Sequence, residues 1–115
     1  MGRIYRPVEL SAGRKRVNTV AIVDSGADET AISERVARML GAELYGEFNA
    51  ASACDTVITG KHADIRIKEK WSGIHSRLTV GVTDVPFRSE DMDEEGVEVL
   101  LGVDFLQATK ATITF

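Results

Sequence analysis

Apolar and polar residues alternate along most of this chain, the period expected of strands that bury one face. Ile4, Val8 and Leu10 fall in phase near the N-terminus, and Pro7 among them predicts an edge position, since proline cannot donate to a ladder. Ser11 to Arg16, with Gly13 and three basic residues, has the composition of a turn. Val17 to Val23 is rich in β-branched residues and leads into the polar cluster Asp24-Ser25-Gly26. Ser33 can cap a short helix that runs to Leu40, with Val36, Ala37 and Leu40 facing inward and Gly41 as its stop. Phe48 to Lys68 is predicted as a hairpin, with Ala50 to Ala53 at its tip and Ala63, Ile65 and Ile67 on one face of its return strand. Ile74, Ser76, Leu78, Val80 and Val82 repeat the period of two. After a polar, acidic connection from Pro86 to Gly96, the run Val97 to Leu101 predicts a buried strand. A short helix from about Val103 to Ala108 and a last strand, Ala111 to Phe115, close the chain. Many short strands with at most two short helices predict a mainly-β fold.

Size and charge narrow the function classes. The 115 residues suit one domain, residues 1–115, with room for an independent core. Fourteen Lys and Arg against eighteen Asp and Glu give a net charge of −4, without a basic run. Neither nucleic acid nor a membrane is therefore expected as a partner. Cys54 is the single cysteine, so no intrachain disulfide can form. Without a signal-like or spanning apolar stretch, the expectation is a soluble, cytoplasmic protein.

The informative stretch is AIVDSGADETAIS, Ala21 to Ser33. A hydrophobic strand delivers Asp24 to a tight turn in which Gly26 supplies backbone freedom and Ser25 a hydroxyl beside the carboxylate. Alone, Asp-Ser-Gly would be an ordinary turn, because these residues dominate turns. A second stretch, VEVLLGVDFL, ends on two apolar residues (Leu100 and Leu101), Gly102 and a short helix. Together the two stretches resemble the hallmarks of the retropepsins, the single-domain aspartic proteases of retroviral type, and the likeness covers nearly the whole chain.

The resemblance implies a closed β-barrel-like acid-protease fold with one or two short helices and one lobe per subunit. It also implies an aspartic endopeptidase in which two carboxylates share a proton, one acting as base toward water and the other as acid toward the carbonyl. Asp-Ser-Gly occurs once here, so the second carboxylate must come from a symmetric copy and the active form is a homodimer. Asp24, Ser25 and Gly26 become the catalytic motif, with Ser25 bracing the two active-site loops across the dimer axis. Ala27 and Asp28 become contacts to an extended peptide or protein substrate, and Ala51, Ser52, Ala53 and Cys54 a flap that closes over it. The terminal strands, Arg3 to Val8 and Ala111 to Phe115, would interleave with the partner's. No cofactor and no metal is implied.

The sequence departs from the family pattern at three places. Ser25 stands for the commoner Thr. Val103 stands where many viral members carry an Arg that pairs with the acidic residue matching Asp28, so Asp28 needs another partner, such as an N-terminal Arg, or binds substrate differently. The flap tip has no glycine. Cys54 near that tip suggests a bridge between two flaps, against the simpler role of a small packed residue. His62 and His75 lack metal-ligand spacing, Glu90 to Glu95 has the composition of a solvated acidic loop, and Trp71 flanks a turn. The alternative to an endopeptidase is a non-catalytic peptide- or protein-binding dimerisation module with the same fold.

Overall fold

The computed structural model describes residues 4–24, 27–51, 57–83 and 97–108. Strands β1 (Ile4–Ala12) and β2 (Lys15–Val23) form an antiparallel hairpin whose register runs from Ile4↔Val23 to Ala12↔Lys15. The two residues between them form the turn, and Gly13 takes φ +60°, a conformation that costs glycine little. This register turns Val8, Leu10, Val17 and Ala21 toward one core.

Next come β3 (Ala31–Ser33) and α1 (Glu34–Leu40). The Val36 amide donates to the Ser33 side-chain oxygen at 3.1 Å, and Gly41 ends the helix in the left-handed conformation at φ 63°. Val36, Ala37 and Leu40 are buried, as their spacing on one helix face predicts. The remaining elements are β4 (Tyr45–Ala51), β5 (Val57–Glu69), β6 (His75–Thr83), β7 (Val99–Leu101) and α2 (Val103–Ala108).

Six strands close into a barrel in the order β1-β2-β7-β3-β6-β5, with β5 returning to β1. Strand β4 stands outside this ring, paired to β5 alone among the described residues. Closure removes the free edges an open sheet would present. The expectation for Pro7 holds at that residue. The β1–β5 ladder begins one residue later, at Val8↔Glu69, so β1 is an edge only in its first half. At Pro7 itself only the carbonyl is needed, and it accepts from the Lys70 amide at 2.9 Å.

Ile4 to Val8 pair with Thr19 to Val23 of the same chain, which leaves one edge of that segment committed within the barrel rather than to a partner's strands. The short turn dictates this, because it zips the hairpin from its closed end. The predicted last strand, Ala111 to Phe115, lies outside the described residues, as do Pro86 to Gly96.

The hairpin predicted over Phe48 to Lys68 is formed by β4 and β5, paired from Tyr45↔His62 to Ala51↔Val57 with a register shift between Tyr45 and Phe48. Its tip, residues 52–56, lies outside the described residues. The return strand buries Ala63, Ile65 and Ile67, the face the alternation marks. Two glycines let this hairpin lie close on the barrel. A Cβ on Gly60 would fall 1.9 Å from the Val82 carbonyl oxygen, and one on Gly81 would fall 2.5 Å from the buried Phe48 ring.

Candidate active site

The site is built where β7 threads between β2 and β3, parallel to the first and antiparallel to the second. Those two strands are the flanks of the Asp24 loop, so one short apolar strand fixes both ends of the loop. Val99 and Leu101 are wholly buried and Leu100 between them is half-buried, so the strand has apolar residues on both faces. The Asp24 amide donates to the Leu101 carbonyl at 2.9 Å, continuing the β2–β7 pairing to the backbone of the residue that carries the carboxylate. Asp24 is half-buried at the end of β2.

Beyond it the loop folds onto the corner between β7 and α2. The Ala27 amide donates to the Asp24 carbonyl at 3.2 Å, and the Val103 amide to the Ala27 carbonyl at 2.8 Å. Gly102 sits at the tightest approach. A Cβ there would lie 2.7 Å from the Glu29 carbonyl carbon and 2.8 Å from the carbonyl oxygens of Ala27 and Glu29. Any side chain would push the loop off its support, and this is the physical content of the Leu-Leu-Gly element.

Thr30 and Asp104 lock the same corner from the side. The Thr30 amide lies 2.9 Å from each Asp104 carboxylate oxygen, and its hydroxyl donates to Oδ1 at 2.6 Å. The same hydroxyl oxygen accepts from the Gly102 amide at 3.1 Å, and the Phe105 amide adds a donor to Asp104 at 2.7 Å. Thr30 has no exposed surface and Phe105, the first buried residue of α2, none either. A charged acceptor with several short donors is among the stronger hydrogen-bonding arrangements a protein builds. On the far side the Ser33 amide donates to the Glu98 carbonyl at 2.9 Å, while the Arg35 guanidinium grips the Glu98 carboxylate. That guanidinium, helped by the Ser33 hydroxyl, holds the Glu98 carboxyl below the ordinary glutamate range despite partial burial.

Of the residues singled out from sequence, the structure brings Asp24, Ala27 and Asp28 into one loop, with Ala27 half-buried and Asp28 exposed. Ser25, Gly26, Ser52, Ala53 and Cys54 lie outside the described residues; Ala51 ends β4. Asp28 makes no ion pair among the described residues, and its backbone carbonyl accepts from the Asp104 amide at 3.3 Å. The loop is therefore tied to α2 by Thr30 and Asp104, a pair that sequence reasoning missed. The signal was present: one Asp stands within the apolar run that follows Gly102, and a Thr precedes the β3 strand. Only the fold puts them within reach across 74 positions. Among the described residues no three His, Cys, Asp or Glu side chains come together as a metal site.

A carboxylate held at the end of a barrel strand, over a glycine-supported loop, defines the acid-protease class of β-barrel. The sequence profile of the family described as "gag-polyprotein putative aspartyl protease" matches residues 13–108, and the chain belongs to that family. Among solved structures, the EIAV protease complexed with the inhibitor HBY-793 superposes with a TM-score of 0.71 over 99% of this chain and 94% of its own, at 19% identity. The retroviral protease-like domain of Ddi1 from Leishmania major gives a TM-score of 0.56 at 17% identity, covering 100% of this chain and 82% of that one. Among curated proteins, none matches the sequence.

Proposed function

We propose that the protein is a homodimeric aspartic endopeptidase whose catalytic pair is Asp24 from each of two copies. The observation that carries this reading is the double anchoring of the Asp24 loop, by the Leu101 carbonyl on one side and the Thr30–Asp104 network on the other. Fixing a carboxylate this firmly is what general acid–base catalysis needs, since a small misplacement of the reacting group lowers the rate steeply. Membership of the aspartyl protease family and likeness to the EIAV protease fold support it.

In this reading the chain supplies half a site. Two carboxyls about 3 Å apart, the spacing of aspartic-protease dyads, cannot both ionise easily, so they hold one proton between them. The ionised partner takes a proton from water as it attacks the scissile carbonyl. The protonated partner donates to the carbonyl oxygen, and the tetrahedral intermediate breaks down with a proton passed to the leaving amine. The dyad titrates as a unit. By the family resemblance, Gly26 supplies the backbone freedom of the turn and Ser25 braces it across the two-fold axis. Ala27 and Asp28 line the cleft for a peptide bound as an added strand, with the flap residues Ala51 to Cys54 above it.

The test is a screen of wild type and Asp24→Asn against a diverse peptide library across pH, at concentrations bracketing dimer dissociation. Cleavage by wild type at acid to mildly acid pH, absent in Asp24→Asn, is the expected result. The variant still dimerises, and more tightly, because two carboxylates no longer face each other. Cleavage that survives Asp24→Asn, or a strictly monomeric wild type that cleaves, overturns the mechanism. A wild type that dimerises and binds peptides without cutting them would leave the binding-module reading in its place.

A further inference from the structure

At the opposite pole of the barrel from Asp24, the outer faces of β1, β2, β5 and β6 enclose an open groove of about 620 Å³. Arg16 stands eight positions before Asp24 on β2, roughly 26 Å away at the rise of a strand. The pairing registers align Arg16, Ser11, Arg66 and Arg77 in one row across the four strands. The next row along carries Glu9, Lys68 and His75. Residues directly opposite each other point to the same face, so Arg66 and Arg77 confront one another as like charges, an arrangement that destabilises an empty sheet.

Four fixed cations (Arg16, Arg66, Lys68 and Arg77) line the groove against two carboxylates, in a chain whose net charge is −4. Both carboxylates already have partners. Glu9 meets Arg16 at 3.4 Å, and Asp64 accepts from the hydroxyls of Tyr45 and Thr79 at 2.6 Å each. Arg66, Lys68 and Arg77 form no contact ion pair among the described residues, although the Arg77 charge acts on Asp64 at longer range, and all three are exposed. An opposed guanidinium pair with a neighbouring ammonium is a cost to the fold that an anionic ligand would reverse.

We infer that this groove is a second binding site, for an extended acidic peptide segment. Two features favour a peptide over a nucleic acid. Among the described residues no Phe, Tyr or Trp lines the groove, so bases would find none of the stacking platforms that single-strand binders use. Glu9 and Asp64 would oppose a continuous polyphosphate but can accept the amide protons of a peptide backbone. The overall charge of the sequence conceals this site, because its cations come from three separate segments.

The test is fluorescence anisotropy with a labelled oligoglutamate of about twelve residues, at about 50 mM salt, compared with a labelled oligothymidylate of equal charge. Wild type is expected to bind the peptide more tightly than the oligonucleotide, and binding should weaken as salt rises. The double variant Arg66→Gln/Arg77→Gln is expected to lose at least tenfold in peptide affinity while its melting temperature stays level or rises. Arg38→Gln, which removes one charge from the exposed face of α1, and Lys68→Gln in the groove separate site from bulk charge: the first should bind within twofold of wild type and the second should lose several-fold. Failure of wild type to bind, a double variant that binds as well as wild type, equal losses from Arg38→Gln and Lys68→Gln, or preference for the oligonucleotide would each overturn the inference.

Discussion

Replacing Thr30 by Val removes one oxygen and little volume, and so isolates the lock beneath the Asp24 loop. In the native corner the hydroxyl donates to Asp104 and its oxygen accepts from the Gly102 amide. Thr30 is entirely buried, so water cannot replace either bond without opening the corner. Leaving the Gly102 amide without an acceptor costs about 1–3 kcal/mol, and depriving a carboxylate of a donor costs about 1.5–3 kcal/mol, tempered here by the amides that remain on Asp104. The two together should lower unfolding stability by about 3 kcal/mol. For a chain of this length that is a fall in Tm of roughly 12 °C. Thr30→Ser keeps the hydroxyl and loses a buried methyl, for about 1 kcal/mol. Urea unfolding of the three proteins at one fixed concentration reads the comparison directly, since in the proposed dimer stability would depend on concentration. If Thr30→Val unfolds within about 0.5 kcal/mol of wild type, or Thr30→Ser falls as far as Thr30→Val, the network is not what holds the loop.

Two further substitutions probe the frame around the site. Glu69 is buried at the β5–β6 turn; burial is the largest single influence on its carboxyl and pushes it up, yet the Ser72 hydroxyl, the Ser72 and Trp71 amides and the nearby Arg6 together hold it below the ordinary glutamate range. A depressed folded value means that its stabilisation is complete above the free glutamate pKa of about 4.3 and fades as pH falls through the folded value. Glu69→Gln should therefore be less stable than wild type near neutral pH by about 1–3 kcal/mol, and the gap should narrow below about pH 4.3, as followed by thermal melts across pH; parallel curves would contradict the assignment. Gly60→Ala sets a Cβ against the Val82 carbonyl at 1.9 Å, where only backbone movement can relieve the clash, so a loss of about 3 kcal/mol or more is expected, with faster amide exchange in the β5–β6 ladder. Unchanged exchange there would mean that the hairpin does not depend on this close approach.

Much of the architecture was legible in the sequence because local rules and burial agree along most of it. Ser33 and Gly41 bound α1 as caps, the alternation of Ala63, Ile65 and Ile67 marks the inner face of β5, and the apolar run at Val99 to Leu101 marks a strand flanked on both sides. The Asp24 motif and the Gly102 element could be recognised as strand-to-turn and strand-to-helix junctions for the same reason: each is a short-range pattern. What the sequence could not supply was which distant groups meet. Pro7 lies on the edge stretch of β1 as its chemistry predicts, but where that edge ends, with β5 joining at Val8, is a long-range event settled by the shared core and not by proline itself. The pairing of Thr30 with Asp104 and the alignment of Arg16, Arg66 and Arg77 in one row likewise depend on strand order and register. Hydrogen bonds act over a few ångströms and charge interactions over about ten, whereas separation along the chain carries almost no information about separation in space, so the loop's lock and the cationic groove emerge only once the barrel is closed.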